Sequence, residues 1–404
     1  MISVAEAISI ITSSINPVST ELVEASSALG RVLAEDVASQ LTHPPTDVSA
    51  MDGYAVRIED IDHVPAKLTV IGESAAGSAL ESTVGNLQAA RISTGAAIPR
   101  GANSVVIQED TLRSGNELTI LKKPEAKKWI REAGLDFRTG QTLLKAGRYL
   151  TARDVGLAAA MNVPWVRVFR KPRVAFLATG NEVVLPGSRL GPNQIISSNS
   201  AALAASISAL GGVPVNVGIA RDTESALETK LQNLEGIDLL ITIGGASVGD
   251  HDLVLSVLTR LGFCTLFHKV AMRPGKPMLF GLLEATPVLG LPGNPVSVGV
   301  ATAVFLRPAM QRMSGVEQQD FPLPTAWLTE DLSSNDSRQD YVRARLLYTA
   351  AEDFAVTPLP KQDSSMLAAF ADADCLIVRA PHAPPAVAGD RVHYVSLAHS
   401  NISL

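Results

Sequence analysis

The stretch RVAFLATGNE, residues 173–182, decides the class of fold that this sequence predicts. Its first seven residues form an almost continuous apolar run, which is typical of a strand buried on both faces of a parallel sheet. From here to residue 315, apolar strands alternate with helical patterns, ending in a long helix after Pro295. The alternation predicts right-handed βαβ units and an α/β, doubly wound, mostly parallel sheet. Such sheets bind ligands outside the carboxyl ends of their strands.

The regions on either side of this sheet are predicted to be β-rich. Residues 66–150 contain short segments such as KLTVIG and SVVIQ, bounded by Gly, Pro or Asn. Residues 322–404 contain a second set, including TAWLTEDL and DYVRARLLY. The first set predicts a small all-β domain, and the second predicts a separate β-barrel or sandwich.

Apolar residues at helical spacing predict helices from Ser3 to Ile15, from Ser27 to Ala34, and over 151–162, with Thr151 as an N-cap. We therefore expect a multidomain chain. Its units are a helical linker subdomain (1–44 and 148–171), a β-rich domain (45–147), the doubly wound domain (172–318) and a C-terminal β-barrel domain (319–404).

Composition excludes several classes of function. Of the 404 residues, 46% are hydrophobic and 18% charged, which favours large packed cores over disorder. A net charge of −6 and an aromatic content of 4% argue against nucleic acid as a partner. Two cysteines, Cys264 and Cys375, exclude a disulfide scaffold and a Cys-rich zinc site. Without a basic leader or an uncharged apolar run of about 18 residues, we expect a cytoplasmic protein with no membrane partner.

The loop RPGKP (273–277) places two cations, Arg273 and Lys276, between residues that restrict the backbone. Proline limits the conformations of the free loop, so the side chains are positioned at a small cost in entropy. A guanidinium offers a two-pronged donor to a tetrahedral oxyanion, and an ammonium offers a point charge. The composition of the loop favours an anion-binding site. The alternative is a basic turn that is exposed to solvent, which would have the same composition.

Two further loops follow predicted buried strands. The glycines of GGASVGDHD (244–252) allow a ligand to approach the backbone closely. In LPGNPVS (291–297), Asn294 suits an N-cap and Pro295 suits the first helical position. A helix N-terminus at the open edge of a sheet can bind an oxyanion. The residue pattern alone is also consistent with a tight capped turn at 244–252 and with an ordinary helix start at 291–297.

Acidic side chains follow two other strands, because Glu182 comes after RVAFLAT and Asp222 comes after VPVNVGI. Mg²⁺ prefers one or two carboxylates together with waters and phosphate oxygens, so this set beside anion-binding loops predicts a cation that bridges phosphates. Each residue alone is more typical of a helix cap. The turn at Asp52 is by itself structural, and the histidines lack metal-ligand spacing.

Taken together, these motifs resemble those of the molybdopterin molybdenumtransferase family, which includes the E domain of gephyrin. Six motifs occur in the family's order over nearly the whole chain. They are SAMDGYAVR (49–57), RISTGAAIPRGANSVVIQED (91–110), ATGNEVV (178–184), GGASVGDHD (244–252), KVAMRPGKP (269–277) and LPGNPVS (291–297).

The resemblance implies an enzyme that inserts molybdate into the dithiolene of adenylylated molybdopterin with Mg²⁺, releasing AMP and molybdenum cofactor. It also implies an elongated homodimer, in which the doubly wound, adenylyltransferase-like domain shares its active site with the lasso-like β domain of the other subunit. Molybdopterin adenylyltransferase and apo-molybdoenzymes are implied partner proteins.

The resemblance also assigns roles to individual positions. The implied catalytic residues are Asp52, Thr94, Asp136, Glu182, Asp222, Asp252, Lys269 and Arg273, of which Glu182, Asp222 and Asp252 are the implied metal ligands. The implied cofactor-binding residues are Thr179, Gly180, Gly244, Gly245, Ser247, Gly249, Pro274, Gly275, Lys276, Pro292, Gly293, Asn294, Pro295 and Ser297. The implied oxyanion pocket comprises Arg273, Lys276 and Ser297, with Arg338 or Arg343 and Ser364 or Ser365 from the C-terminal domain.

Three positions depart from the family pattern by lacking an acidic residue. Asn181 and Ser197 stand where the family usually has Asp, and Leu135 precedes Asp136 where an acidic residue is usual. Arg273 replaces a frequent Lys, which is a milder change. The missing carboxylates predict weakened metal binding, because Mg²⁺ affinity depends on the anionic ligands around it.

Three hypotheses about function follow from the sequence. The first is the molybdenum insertase, favoured by the additional β domains and the RPGKP loop. The second is a molybdopterin adenylyltransferase, because the doubly wound domain is common to both enzymes. The third is a non-catalytic scaffold paralogue of the insertase, suggested by the missing carboxylates.

Overall fold

A computed structural model describes residues 1–232, 234–245, 253–316, 323–348 and 353–397 of the chain. Helix α1 (Val4–Ser14) begins at Ser3, whose hydroxyl accepts a hydrogen bond from the Glu6 N–H, while the Glu6 carboxylate accepts one from the Ser3 N–H. This capping box satisfies two amides that the helix leaves without partners. Val4, Ala7 and Ile11 form the buried face of α1.

Strands β1 (Thr20–Glu24) and β2 (Val37–Ala38) follow α1. The expected helix from Ser27 to Ala34 is wrong, because only the 3₁₀ turn Ala25–Ser27 forms there. Gly30 has a φ of +74°, which ends helical geometry. Val32 then forms an isolated β-bridge with Tyr149, and Leu33 forms one with Val168. Local apolar spacing is overridden by pairing with a distant part of the chain.

The next region is a β domain, as the sequence predicts. A six-stranded sheet has the order β7-β4-β6-β5-β9-β8. Short pairs join β10 to β3 and β11 to β2. The strands are β3 (Val48–Ser49), β4 (Gly53–Val56), β5 (Ala66–Ser74), β6 (Gln88–Ile92), β7 (Ser104–Ile107), β8 (Thr111–Ser114), β9 (Glu117–Ile120), β10 (Ile130–Arg131) and β11 (Thr142–Leu144).

Helix α2 (Ala152–Ala160) and strand β12 (Trp165–Phe169) return the chain to the N-terminal segment, where β12 pairs with β1. The prediction that Thr151 caps α2 is confirmed, since its hydroxyl accepts a hydrogen bond from the Asp154 N–H. The Asp154 carboxylate accepts a hydrogen bond from the Thr151 N–H in return, completing a second capping box.

The α/β region contains one sheet with the order β16-β13-β17-β21-β20-β18. Its first four strands are parallel and the last two antiparallel, which confirms the predicted mostly parallel sheet. The elements are β13 (Arg173–Thr179), β14 (Val183–Val184), β15 (Ile195–Ile196), α3 (Ser198–Ala209), β16 (Val213–Ala220), α4 (Glu224–Leu231), β17 (Leu239–Ile243), α5 (Leu253–Arg260), β18 (Phe263–His268), β19 (Met272–Arg273), β20 (Leu279–Leu283), β21 (Thr286–Leu291), α6 (Pro295–Ala301) and α7 (Arg307–Met313), with a π turn at Thr302–Leu306.

Strand β13 is buried on both faces, which explains its continuous apolar sequence. Val174 and Phe176 face the core under α1, α3, α6 and α7, whereas Ala175 and Leu177 face the core under α4 and α5. The chain leaves β13 for β16 on one side and later returns to β17 on the other. This reversal opens a crevice at the carboxyl ends of β13 and β17, where doubly wound proteins bind ligands.

The C-terminal region is a closed barrel in which five strands pair in the circle β23-β24-β22-β26-β25-β23. Strand β19 of the α/β region adds to this barrel in parallel, pairing Met272 with Gln339 and Arg273 with Asp340. The elements are β22 (Thr325–Leu328), β23 (Gln339–Tyr348), β24 (Phe354–Pro358), α8 (Leu367–Ala371), β25 (Cys375–Arg379) and β26 (Arg391–Ser396).

Two observations concern the organisation of the whole chain. Although the predicted subdomain boundaries group α1 with residues 148–171, its buried face packs in the core of the α/β sheet with Phe176 and Phe305. The boundaries themselves stay a prediction. None of the described helices has the length and apolar character needed to cross a membrane.

Candidate functional site

Glycines line the crevice at the carboxyl ends of β13, β17 and β21. Gly244 and Gly245 have φ values of +84° and +70°, in the left-handed region that favours glycine. A Cβ on Gly244 would lie 3.1 Å from Thr179 Oγ1, and one on Gly245 would lie 2.3 Å from Val254 Cγ2. A Cβ on Gly293 would lie 3.8 Å from the Gly244 Cα. Two backbone segments without side chains, at Gly244–Gly245 and at Gly293, therefore converge where the sequence predicts close approach of a ligand.

Of the 244–252 loop, the structure describes Gly244 and Gly245. Ser247, Gly249 and Asp252, which the sequence assigns to cofactor binding, catalysis and the metal, lie outside the described residues.

A cavity of about 470 Å³ lies where the sheet edge meets the barrel. We call it the basic cavity, because Arg273, Lys276 and Arg338 line it. Its other predicted wall residues are Pro274, Gly275, Pro292, Gly293, Asn294, Ser297 and Ser364. Residues more than 60 positions apart in sequence thus meet in one cavity, as the resemblance implies for the oxyanion pocket.

The RPGKP loop is held from the barrel side. The Arg273 guanidinium forms an ion pair with Asp340, which is only 5% exposed, and approaches the Asp336 carboxylate to 3.9 Å. Arg338 donates to both Asp336 oxygens, with Nη2 at 2.5 Å from Oδ2. The Lys276 ammonium is exposed and has no hydrogen bond or ion pair with any described residue. Lys276 is therefore the cation whose charge is available without breaking a contact.

The ion pairs also set the charge state of the cavity. Hydrogen bonds from the Arg338 side chain and N–H hold the pKa of Asp336 well below its usual range. The same contact raises the pKa of Arg338. Asp336 thus stays a carboxylate and Arg338 stays a cation over the whole physiological pH range.

The structure separates the alternatives that the sequence left open in the barrel. Arg338 and Ser364 line the basic cavity, whereas Arg343 and Ser365 do not. Arg343 is 1% exposed, and its guanidinium donates to Gln362 and to the Lys361 carbonyl. Burial lowers its pKa. Arg343 therefore supports the loop that carries Ser364, while Ser365 donates to Asp363.

Asn294 lies at the predicted N-cap position and also contacts the barrel. It is the N-cap residue of α6, and Pro295 is the first helical residue, but the Asn294 side chain makes no capping bond. Its Nδ2 instead donates to Ser364 Oγ at 2.8 Å, joining the sheet edge to the barrel. Asn199 Nδ2 donates to the Gly293 carbonyl at 2.7 Å. The predicted N-cap position of Asn294 and first helical position of Pro295 are confirmed, and the Asn294 side chain bonds to the barrel.

The acidic residues of the sheet edge lie at the ends of β13 and β16. The Asn181 N–H donates to Asp222 Oδ2, and the Asp222 N–H donates to Asn181 Oδ1, both at 3.2 Å. Glu182 folds back over Gly180, since a Cβ there would lie 2.8 Å from Glu182 Oε2. Glu182, Asn181 and Asp222 therefore form one exposed group, which we call the acidic edge.

The donor set of the acidic edge fits Mg²⁺ only when another ligand completes the site. Glu182 and Asp222 supply hard carboxylate oxygens, and two carboxylates with phosphate and water are a usual Mg²⁺ environment. Within the described part of the chain, no group of three or more His, Cys, Asp or Glu side chains is arranged to hold a metal. Ser197 adds no exposed ligand, because it is 5% exposed and bonded to Ser200 Oγ at 2.8 Å.

Lys269, another predicted catalytic residue, lies outside the basic cavity. Lys269 lies in the left-handed region with a φ of +73°, and its backbone bonds to Met278 and Ile2. It does not line the basic cavity.

The remaining predicted site residues lie in the β domain. Asp52 Oδ1 accepts hydrogen bonds from the Thr94 N–H at 2.6 Å and from the Thr94 hydroxyl at 2.9 Å. The Thr94 N–H and then its hydroxyl hold the pKa of Asp52 below its usual value. Asp136 lines a separate cavity of about 620 Å³ together with Gly95 and Leu135. The structure therefore groups these residues within the β domain but does not bring them to the basic cavity.

Several residues at the site were not foreseen from the sequence. Asp336, Asp340, Asn199 and Gln362 carry no local motif, and their importance depends on contacts across long sequence distances. The burial of Asp340 on a strand could not be predicted from the sequence pattern, because aspartates are mostly exposed.

Comparison with known proteins agrees with this architecture over the whole chain. Residues 2–162 match the MoeA N-terminal region (domain I and II), residues 175–312 a probable molybdopterin binding domain, and residues 325–397 the MoeA C-terminal region (domain IV). A molybdopterin molybdenumtransferase of Nostoc sp. is 39% identical, covering 80% of this chain and 76% of the relative. One of Haemophilus influenzae is 34% identical, covering 90% of each chain.

A solved structure gives the same result for the fold. The crystal structure of the molybdopterin biosynthesis MoeA protein from Pyrococcus horikosii superposes with a TM-score of 0.85 at 31% identity, covering 99% of this chain and 100% of that chain. The chain therefore belongs to the MoeA family of molybdopterin molybdenumtransferases, enzymes of molybdenum cofactor biosynthesis.

Proposed function

We propose that this protein inserts molybdate into adenylylated molybdopterin and releases AMP, with Mg²⁺ as the metal. The observation that carries the proposal is the basic cavity, in which Arg273, Lys276 and Arg338 meet beside a glycine-lined sheet edge. Family membership supplies the reaction class, and the cavity supplies a binding site for a tetrahedral dianion.

The chemistry of the cavity suits molybdate. Two guanidinium groups and one ammonium can donate to several oxygens of a tetrahedral anion at once. The hydroxyls of Ser297 and Ser364 can rotate to donate further hydrogen bonds. We assign to Lys276 the largest contribution to affinity, because its ammonium forms no ion pair with a described carboxylate, although Asp363 also lines the cavity.

The glycine-lined crevice and the acidic edge suit the phosphate end of the other substrate. Backbone amides around Gly244 and Gly293 can approach a phosphate because no side chain stands between. Glu182 and Asp222 would hold Mg²⁺, which neutralises phosphate charge when bound. Asn181 keeps Asp222 in place through its two hydrogen bonds.

We further propose that Asp52, Thr94 and Asp136 act on the crevice of a partner subunit in a homodimer. Their separation from the basic cavity within one chain supports this arrangement. Molybdopterin adenylyltransferase as donor of the substrate, an apo-molybdoenzyme as acceptor of the product, and a cytoplasmic location complete the proposal.

The test is AMP release from adenylylated molybdopterin, measured with and without molybdate. Molybdate-dependent release by the wild-type protein, lost in Lys276→Ala, is the expected result. Formation of adenylylated molybdopterin from ATP would instead identify an adenylyltransferase. Binding of the adenylylated substrate with no AMP release at any Mg²⁺ concentration would identify a non-catalytic scaffold.

A further inference from the structure

We infer that Asp336 is a built-in competitor of the oxyanion, occupying the Arg338 guanidinium until molybdate displaces it. The inference deepens the proposed function and rests on it. It concerns a residue that lies beside the basic cavity and sets how tightly that cavity binds its substrate.

The geometry of Asp336 resembles that of a bound anion. Arg338 Nε lies 3.1 and 3.2 Å from the two Asp336 oxygens, and Arg338 Nη2 lies 2.5 Å from Oδ2. Arg273 Nη1 approaches the same carboxylate to 3.9 Å. Two oxygens of a tetrahedral oxyanion would present the same pair of acceptors to the Arg338 fork. The carboxylate and the substrate therefore require the same donors.

Asp336 differs in burial from the other carboxylate that pairs with a cavity cation. The Asp340 side chain is 7% exposed and is fixed by the pairing of Arg273 with Asp340 in the β19–β23 ladder. The Asp336 side chain is 46% exposed and lies in the segment before β23. A carboxylate that water can solvate leaves its partner at a small cost, whereas a buried one leaves an uncompensated charge. Asp340 therefore positions Arg273, and Asp336 is the exchangeable partner.

The competition has a defined effect on binding. Arg338 must be released from Asp336 before it binds molybdate, so only a fraction of the protein molecules has a cavity that can bind. The apparent dissociation constant for molybdate equals the intrinsic one divided by that fraction. The low pKa of Asp336 keeps this competitor charged at every physiological pH. On this inference Asp336 excludes weakly held monoanions such as chloride from the cavity. Molybdate still displaces Asp336, because it also contacts Lys276 and both arginines.

Calorimetric titration with molybdate tests the inference in the full chain. Asp336→Asn keeps an oxygen that can accept from the Arg338 N–H, as Asp336 Oδ1 does at 2.9 Å, but removes the charge. We expect molybdate to bind up to about fivefold more tightly, corresponding to one exposed ion pair that no longer has to be broken. Chloride should also compete more strongly with molybdate in this variant than in the wild type.

A matched control is Asp372→Asn, which removes an equally simple exposed ion pair with Arg345 elsewhere in the barrel. Its molybdate affinity and chloride sensitivity should equal those of the wild type. Asp336→Ala serves as a second variant should the Asn side chain form new bonds, and thermal unfolding verifies that each variant is folded.

The outcomes separate the inference from the proposed function. Unchanged or weaker molybdate binding in folded Asp336→Asn and Asp336→Ala, with binding still impaired by Lys276→Ala, would overturn the competitor role and leave the cavity as the molybdate site. If Lys276→Ala also left binding unchanged, the cavity itself would not be the site. The inference is supported only if molybdate binds more tightly to both Asp336→Asn and Asp336→Ala than to the wild type.

Discussion

The cations and the carboxylates of the proposed site are distributed differently over the molecule. Arg273, Lys276 and Arg338 line one cavity within a single chain. The carboxylates are divided between the acidic edge, with Glu182 and Asp222, and the β domain, with Asp52. Arg273 and Arg338 of the cationic half are held by side-chain ion pairs, whereas in the described part of the chain the side chains of the acidic edge accept two hydrogen bonds, both from backbone amides.

The difference indicates which half exists before substrate binds. Arg273, which is fixed by a buried ion pair and by strand pairing, needs little reorganisation when the ligand arrives, whereas Arg338 must first leave Asp336. The anion site is therefore preorganised at Arg273. The acidic half is exposed, and in the proposed function a phosphate, a metal and a second subunit complete it. Five predictions test this division, from the largest expected effect to the smallest.

Lys276→Ala should have the largest effect, because it removes the cavity cation that forms no ion pair with a described residue. One lost charge-assisted contact is worth about 1.5–3 kcal/mol, or roughly ten- to a hundredfold in the dissociation constant for molybdate. Pterin binding should change less, and calorimetry with each ligand measures both. Lys67→Ala, which removes an exposed lysine paired with Glu117 in the β domain, is the control and should bind molybdate normally. An unchanged molybdate affinity in Lys276→Ala would contradict the assignment.

Mixing inactive chains tests whether the acidic half is supplied by a partner. Asp52→Ala and Lys276→Ala should each abolish activity as homodimers, but a heterodimer should contain one site with both residues intact. Recovery of AMP release in verified heterodimers is the expected result. No recovery, while wild-type homodimers are active, would place Asp52 and Lys276 of the same chain in one site.

Asn181→Asp tests the charge of the acidic edge. The new carboxylate can still accept from the Asp222 N–H, and it adds one negative charge near the metal. One negative charge about 4 Å from a divalent cation in water is worth about 2 kcal/mol, so the Mg²⁺ concentration for half-maximal activity should fall roughly thirtyfold at low salt and less where salt screens the charges. Asn162→Asp makes the same change after α2 and should leave the Mg²⁺ requirement unaltered. An identical Mg²⁺ dependence in Asn181→Asp and wild type would remove this position from the field of the metal.

Ser197→Asp is a different experiment, although the family pattern suggests combining the two changes. Ser197 is buried against Ser200, so a carboxylate there would lose hydration and should cost about 1–3 kcal/mol of stability. Thermal unfolding measures this loss. Asn181→Asp alone is therefore the sharper test of metal binding.

Thr94→Val should give the smallest effect, a change in the pKa of Asp52. The variant loses the hydroxyl but keeps the N–H that is the main cause of the lowered pKa, so the pKa should rise yet stay below its ordinary value. Because folding lowers this pKa, the Thr94 bonds stabilise the fold above the ordinary aspartate range, and that stabilisation is lost as pH falls through the lowered pKa. NMR titration of Asp52 is the measurement, and Thr94→Ser, which keeps a hydroxyl, should titrate like wild type.

Much of the fold was predictable because local patterns and tertiary packing agree. The strand RVAFLAT, buried on both faces, is found at Arg173–Thr179 as the sequence predicts. The helix predicted from Ser27 to Ala34 failed where the two disagree, since Val32 and Leu33 pair with residues more than 100 positions away. Periodicity cannot show a partner that distant.

The site was predictable to the extent that it depends on short motifs. The RPGKP loop signalled Arg273 and Lys276, and the cavity contains both. Asp336 and Asp340 were not predicted, because a single aspartate before or within a strand has no distinguishing spacing. Their roles come from which arginine lies opposite, and only the folded chain decides that.

The pairing of Met272–Arg273 with Gln339–Asp340 has a consequence for how the protein can be divided. The barrel and the sheet share a backbone ladder, so a truncation before the barrel does more than delete Arg338 and Ser364. It also strips the RPGKP loop of its neighbouring strand and of the buried aspartate that anchors Arg273. A fragment that ends at residue 318 would therefore lose the anion site from both walls, and a barrel grafted from a relative must bring its own matching edge strand.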